Sequence, residues 1–128
     1  MSVREKLRVL VVDDMSTSRG LLLQGLDALG IRQVEHVEDG EAAMESLVKR
    51  PVHLVLSDYN MPRMDGLGLL KAIRSHATLG ATGFVLVSGR ADPDVIASGR
   101  RLKMNNFLTK PFDHAALRSA IEAVVGRL

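Results

Sequence analysis

The sequence predicts an α/β fold, a five-stranded parallel sheet with five helices distributed over both faces. Three observations carry this expectation. Five short apolar runs recur along the 128 residues. Segments with helical apolar spacing separate them, and strict alternation of strand and helix favours parallel pairing through crossover helices. Three of the five runs are nearly continuous rather than alternating, as strands covered on both faces read.

Val9-Leu10-Val11-Val12 is the first strand. A helix starts near Ser16, presents Leu22, Leu26 and Leu29 on one face, and stops at Gly30, which suits the left-handed position after a helix. The second strand runs from Val34 to Val37, and its helix follows Asp39-Gly40 and ends before Pro51. Leu54-Val55-Leu56 is the third strand; the next helix runs from about Gly66 through Leu70 and Ile73 to Ser75. Phe84-Val85-Leu86-Val87 is the fourth, followed by a helix opened by Asp92-Pro93, a capping carboxylate with proline in the first turn. Phe107-Leu108 is the fifth, and the last helix begins at Asp113 with Leu117, Ile121 and Val124 on one face. Right-handed crossovers and five strands suit the flavodoxin-like order 2-1-3-4-5, in which ligands sit beyond the carboxyl ends of the strands, at the switch point between strands 1 and 3.

Residues 1–128 read as one domain with no output domain after the last helix, of a size that supports a single core. No apolar stretch reaches the roughly 20 residues needed to span a bilayer, and the start lacks a signal-like apolar core. Without cysteine, disulfides and thiolate metal sites are excluded. A cytoplasmic monomer without membrane insertion is expected. The net charge is +2, but residues 1–89 hold 10 basic and 11 acidic groups, so there is no basic face to track nucleic acid. Four aromatics (Tyr59, Phe84, Phe107 and Phe112) are too few for a base-stacking platform. The histidines at 36, 53, 76 and 114 have no metal-ligand spacing.

Chemistry collects at the strand ends. The first strand ends in Asp13-Asp14, the third in Asp58, the fourth in Ser88 and the fifth in Thr109-Lys110. Singly, such residues cap helices, form turns or are solvated. Their coincidence on four strands at one sheet edge is not explained that way. Three clustered carboxylates repel unless neutralised, and an all-oxygen set suits a hard cation such as Mg²⁺. With a cation and Lys110 adjacent, the edge could hold a phosphoryl group, and one carboxylate could act as nucleophile to form an acyl phosphate. Asp58, central among the contributing strands, is the best placed.

The segments VVDD (11–14), SDYNMPRMDG (57–66), LVSG (86–89) and FLTKPF (107–112) resemble those of the receiver domains of two-component response regulators. They occur in that family's order and spacing and cover nearly the whole chain. DDMSTSR (13–19) and NMPRMDGLGLLKAIR (60–74) are most similar to the stand-alone chemotaxis regulators of the CheY type. The resemblance implies that Asp58 accepts a phosphoryl group from a phosphohistidine on a sensor histidine kinase. Asp14, Asp58 and the Asn60 carbonyl would bind Mg²⁺ directly, with Asp13 acting through water. Lys110 would pair with the phosphoryl oxygens, and Ser88 would donate its hydroxyl to them. Phe107 would be the aromatic whose rotamer follows Ser88, and Lys110-Pro111 would be a cis peptide. The output expected is altered binding to a target, the flagellar motor switch in chemotaxis, with a phosphate sink or relay intermediate as the alternative. Catalysis would be limited to the chain's own phosphorylation and slow autodephosphorylation, with a phosphatase as a further partner.

Phe107 departs from the best-known chemotaxis regulators by lacking a hydroxyl, and Ser88 replaces a frequent threonine. Asn60 and Arg90, each two residues beyond Asp58 and Ser88, flank the expected path of attacking water and are candidates for tuning the phosphoryl lifetime; for Arg90 a solvated loop arginine is an equal reading. Arg100, Arg101 and Lys103 lie late in the fourth helix, where they either meet the helix dipole or help the face of the fourth helix, fifth strand and fifth helix recognise an acidic peptide. Two other classes fit less well. A flavodoxin would use STSRG (16–20) as a phosphate loop, but the adjacent carboxylates repel a phosphate. An aspartyl-nucleophile phosphatase of the haloacid dehalogenase type carries its nucleophile on the first strand, followed two residues on by Asp. Here it is on the third, followed by Asn60.

Overall fold

The computed structural model describes residues 2–128. In chain order the elements are α1 (Val3–Lys6), β1 (Arg8–Val12), α2 (Ser16–Ala28), β2 (Gln33–Val37), α3 (Gly40–Lys49) and β3 (Leu54–Asp58). They continue with α4 (Gly66–Ser75), β4 (Gly83–Ser88), α5 (Pro93–Arg101), β5 (Asn106–Thr109) and α6 (His114–Val125). All strand pairs are parallel, in the order β2-β1-β3-β4-β5. The expected sheet is therefore found, with one extra helix. The addition, α1, has four residues and buries none of them, so it leaves no apolar period in the sequence.

Successive strand residues point to opposite faces, and each face has its own core. Val9, Val11, Leu54, Leu56, Val85 and Val87 pack with Leu22 and Leu26 of α2 and Leu117 and Ile121 of α6. Leu10, Val12, Val55, Phe84 and Leu86 pack with Leu47 of α3 and with Leu69, Leu70 and Ile73 of α4. This two-sided burial explains the continuous apolar runs of β1, β3 and β4, each fully buried along at least four residues. The edge strands β2 and β5 are only partly covered, and their sequences are correspondingly mixed. Truncating a fully buried residue such as Leu56 to alanine costs about 2–5 kcal/mol.

Four helices begin on an aspartate whose carboxylate accepts an amide of the first turn: Asp39, Asp65, Asp92 and Asp113. Each such cap contributes about 1 kcal/mol. The exceptions are α2 and the four-residue α1, whose N-caps, Met15 and Ser2, make no side-chain cap bond. Gly30 takes the positive φ of 78° expected after α2. Lys103 falls outside α5, contrary to the sequence reading. The helix ends at Arg101, and Lys103 turns the chain at a φ of 65° while its carbonyl accepts from Arg74. Only Arg100 and Arg101 lie in the last turn of α5.

Candidate functional site

β1 delivers Asp13 and Asp14 just beyond its last residue, and β3 delivers Asp58 as its last residue. Register keeps these ends level: Val12 pairs with Ser57, Asp58 with Val87, and Ser88 with Thr109. The main chain ties neighbouring ends further, through Tyr59 N–H to the Val87 carbonyl (3.1 Å) and Lys110 N–H to the Ser88 carbonyl (2.8 Å). Of the residues drawn from the strand ends by sequence, Asp13, Asp14, Asp58 and Lys110 therefore meet at one end of the sheet, with Ser88 ending the adjacent strand; these five define the pocket of the candidate site. The Lys110-Pro111 bond is cis, as the resemblance implies.

One oxygen each from Asp13, Asp14 and Asp58 lies within 4.8 Å of the others. Asp13 is fully buried and Asp58 6% exposed, while Asp14 faces solvent. Lys110 Nζ sits 2.9 Å from Asp58 Oδ1 and 3.5 Å from Asp13 Oδ2. One ammonium thus pairs with two carboxylates of a cluster of three. Burial pushes the Asp58 carboxyl above the ordinary aspartate value, opposed by its bond to Lys110 and reinforced by the charge of Asp13. The all-oxygen donor set, with one ligand open to water, could bind a hard divalent cation, which would supply the missing positive charge.

The loop 59–66 leaves Asp58 by a tight path. Gly66 N–H donates to the Tyr59 carbonyl at 2.8 Å. A Cβ at Gly66 would lie 2.5 Å from the Asp58 carbonyl oxygen, so only glycine fits there. Asn60 is exposed on this loop, next but one to Asp58. On the other side of the pocket, Ser88 is buried, and its Oγ accepts from Arg90 N–H at 3.2 Å. The backbone of Arg90 is therefore at the site, while the residue itself is exposed. Phe107 is half-buried at the rim of the α3–α4 core.

Three features escaped the sequence reading. Arg19 of α2 donates to the Asp13 carbonyl at 2.9 Å and lies 3.7 Å from Glu38. Arg63, in the loop after Asp58, pairs with Asp39 at 3.0 Å. An apolar groove of about 630 Å³ runs between α2 and the start of α6, lined by Met15, Leu21, Gly25, Phe112 and Leu117 and reaching Lys110. Exposed apolar residues at 15 and 21 were the available signal for the groove. Nothing in the sequence pairs Arg19 with residue 38 or Arg63 with residue 39.

A family model described as response regulator receiver domain matches residues 9–122. The chain belongs to the receiver family. A Rhizobium etli relative named "Probable chemotaxis protein CheY" is 42% identical over 128 residues, covering all of this chain and 99% of the relative. Chemotaxis protein CheY-3 of Vibrio cholerae is 30% identical over 126 residues, covering 98% of this chain and 97% of its own. Among solved structures, CheY4 of Vibrio cholerae superposes with a TM-score of 0.84 at 28% identity, over 92% of this chain and 98% of that one. The receiver domain of the Pseudomonas aeruginosa sensor histidine kinase PA1611, solved with magnesium coordinated in its active-site cleft, gives 0.85 at 25% identity, over 94% and 98% of the two chains. A receiver of CheY type is consistent with phosphoryl acceptance in a two-component system, and implies a histidine kinase and a downstream target as partners. Among the described residues, no helix is long and apolar enough to cross a membrane.

Proposed function

We propose that this receiver acts as a cytoplasmic response regulator that takes a phosphoryl group onto Asp58. The observation that carries the reading is the buried Asp58 carboxylate, 2.9 Å from Lys110 and clustered with Asp13 and Asp14 at the sheet's switch point. A carboxylate oxygen of Asp58 attacks phosphorus, the nitrogen–phosphorus bond to the donor histidine breaks, and the imidazole leaves with a proton. Lys110 meets the charge on the phosphoryl oxygens, and Ser88 donates its hydroxyl to them. Mg²⁺ is the proposed cation: Asp14, Asp58 and the Asn60 carbonyl would hold it directly and Asp13 through water, and it would supply charge neutralisation in the transfer. The magnesium in the similar PA1611 receiver supports this choice.

The groove beside Lys110 suits the phosphohistidine-bearing helix of the kinase. A donor must approach Asp58 over an exposed edge, and here apolar surface adjoins the phosphoryl-binding lysine. Output follows from Ser88 and Phe107: the hydroxyl moves to the phosphoryl group, Phe107 fills the space released, and the face of α5, β5 and α6 changes its affinity for a target. The chemotaxis names of the relatives support the flagellar motor switch as that target. Hydrolysis runs past Asn60 and Arg90, alone or with a phosphatase. The chain catalyses its own phosphorylation and dephosphorylation and no reaction on other substrates.

Incubation with Mg²⁺ and a small acyl phosphate should add one labile phosphoryl mass to wild type and none to Asp58→Asn. The phosphorylated form should then bind a motor-switch peptide more tightly than the unmodified form. Equal binding would leave a phosphate sink or relay intermediate as the function. An adduct on Asp58→Asn would place the acceptor elsewhere.

A further inference from the structure

β2 contributes no residue to the pocket, yet the two residues that follow it touch both sides of the pocket's metal-binding half. Glu38 lies 3.7 Å from Arg19, whose guanidinium also donates to the Asp13 carbonyl at 2.9 Å. Asp39 accepts from Arg63 at 3.0 Å through one oxygen, while its other oxygen caps α3 through Ala42 N–H at 2.7 Å. The main chain joins two of these segments directly, with Asp13 N–H donating to the Val37 carbonyl at 3.2 Å.

Arg63 sits at the crest of the loop that carries Asn60. Its φ is 67°, a region an arginine occupies only at a cost, and Met64 N–H closes a tight turn on the Pro62 carbonyl at 2.7 Å. Something must hold that crest in place. Beside the ion pair, Met64 lies against the first residue of α3, so closely that a Cβ at Gly40 would meet its side chain at 2.7–3.0 Å. Arg19 is well covered, with 14% of its side chain exposed, and Asp39 nearly so at 20%.

We infer that the Glu38-Asp39 segment is an electrostatic tie that positions the two cation-binding loops, through Arg19 to Asp13 and through Arg63 to Asn60. These four are positioning residues, because none is itself a ligand. The inference rests on the Mg²⁺ reading above and adds that affinity for the ion is set partly from outside the pocket. It also gives each arginine a reason to sit beside an acidic site without quenching it. Each is charge-matched by an acid of the tie, leaving the pocket's own carboxylates to the cation and Lys110.

The test measures Mg²⁺ affinity of the whole chain by titration calorimetry, alongside thermal melting. Glu38→Gln and Asp39→Asn are the variants, the second chosen because asparagine still caps a helix. Each should weaken Mg²⁺ binding about three- to fivefold, the scale of a partly exposed ion pair, while the melting temperature stays within about 2 °C. Arg63→Lys should retain most of the affinity, and Asp39→Asn combined with Arg63→Gln should be no weaker than the weaker single variant. Wild-type affinity in Glu38→Gln and Asp39→Asn would overturn the tie alone. Affinity losses that merely track losses of melting temperature would also overturn it, in favour of a structural role. A wild-type chain that binds no Mg²⁺ would overturn the metal reading and the tie with it.

Discussion

Around Asp13 and Asp58 the backbone is bonded from several directions. Asp13 is held through its amide by Val37, through its carbonyl by Arg19 and through its carboxylate by the Met15 amide. The loop after Asp58 is closed by Gly66 on Tyr59 and fastened by Arg63 to Asp39. Across the pocket, residues 89–92 after β4 are all exposed, and a Cβ at Gly89 would touch nothing. The helix that follows them, α5, buries only Gly99, whereas α4 buries four residues including Leu69, Leu70 and Ile73. One half of the pocket is therefore fixed in advance, and the other is lightly held. Low local stability belongs where a segment must move between two states. The asymmetry matches a fixed acceptor and a movable reporter.

The largest effect should come from the fixed half. Asp58 binds a proton more readily in the folded chain than in the unfolded one, since burial raises it above the ordinary value of 3.8. Its contribution is therefore most favourable at low pH and is lost as pH rises through the window from 3.8 to the raised folded value. Above that window the charged carboxylate is a net burden that Asp58→Asn removes. The variant should melt higher at pH 7, by about 4 °C for each kcal/mol relieved, and the gain should vanish near pH 3. Saturating Mg²⁺ should raise the wild-type melting temperature more than that of Asp58→Asn. A variant less stable than wild type at pH 7 would show that the Lys110 bond outweighs desolvation.

Gly66→Ala comes next. Its added methyl has no room beside the Asp58 carbonyl, and overpacking of this kind costs about 1–3 kcal/mol. Equilibrium unfolding in urea should show that loss, whereas Gly89→Ala in the open half should stay within about 0.5 kcal/mol of wild type. Equal losses at the two glycines would erase the contrast between the halves.

Leu21→Glu tests the groove, since Leu21 is 55% exposed and its replacement leaves both cores untouched. Transfer from a phosphorylated kinase should slow about tenfold, the scale of losing one anchoring contact, while phosphorylation by a small acyl phosphate proceeds as in wild type. Equal slowing with both donors would mean that the substitution disturbs the pocket itself.

How much was legible beforehand follows the same physical divide. β1, β3 and β4 announced themselves because both faces are buried, and the acids, Ser88 and Lys110 because strand ends place them by topology alone. Helix starts at Asp39, Asp92 and Asp113 were readable from local capping chemistry. What escaped depends on side chains meeting across the fold: Arg19 with Glu38, Arg63 with Asp39, and α2 with α6 around the groove. Lys103 was misplaced for a local reason. Arg100, Arg101 and Lys103 read as one basic helix end, but the chain leaves the helix at Leu102 and turns at positive φ.

The smallest effect expected, and the one that probes the movable half most directly, is at Arg90. Its amide already bonds Ser88 Oγ, and alanine at position 90 keeps that amide. Arg90→Ala should therefore leave the melting temperature unchanged, as exposed substitutions away from caps and cores do. If the guanidinium reaches the phosphoryl group once Ser88 has moved toward it, the lifetime of phosphorylated Asp58 should change by about two- to fivefold, the scale of one partly solvated charge contact. Decay of the adduct measured by intact mass reads this without any partner protein. A lifetime identical to wild type would confine the arginine to solvent and leave Asn60, on the fixed loop, as the residue that governs water's approach.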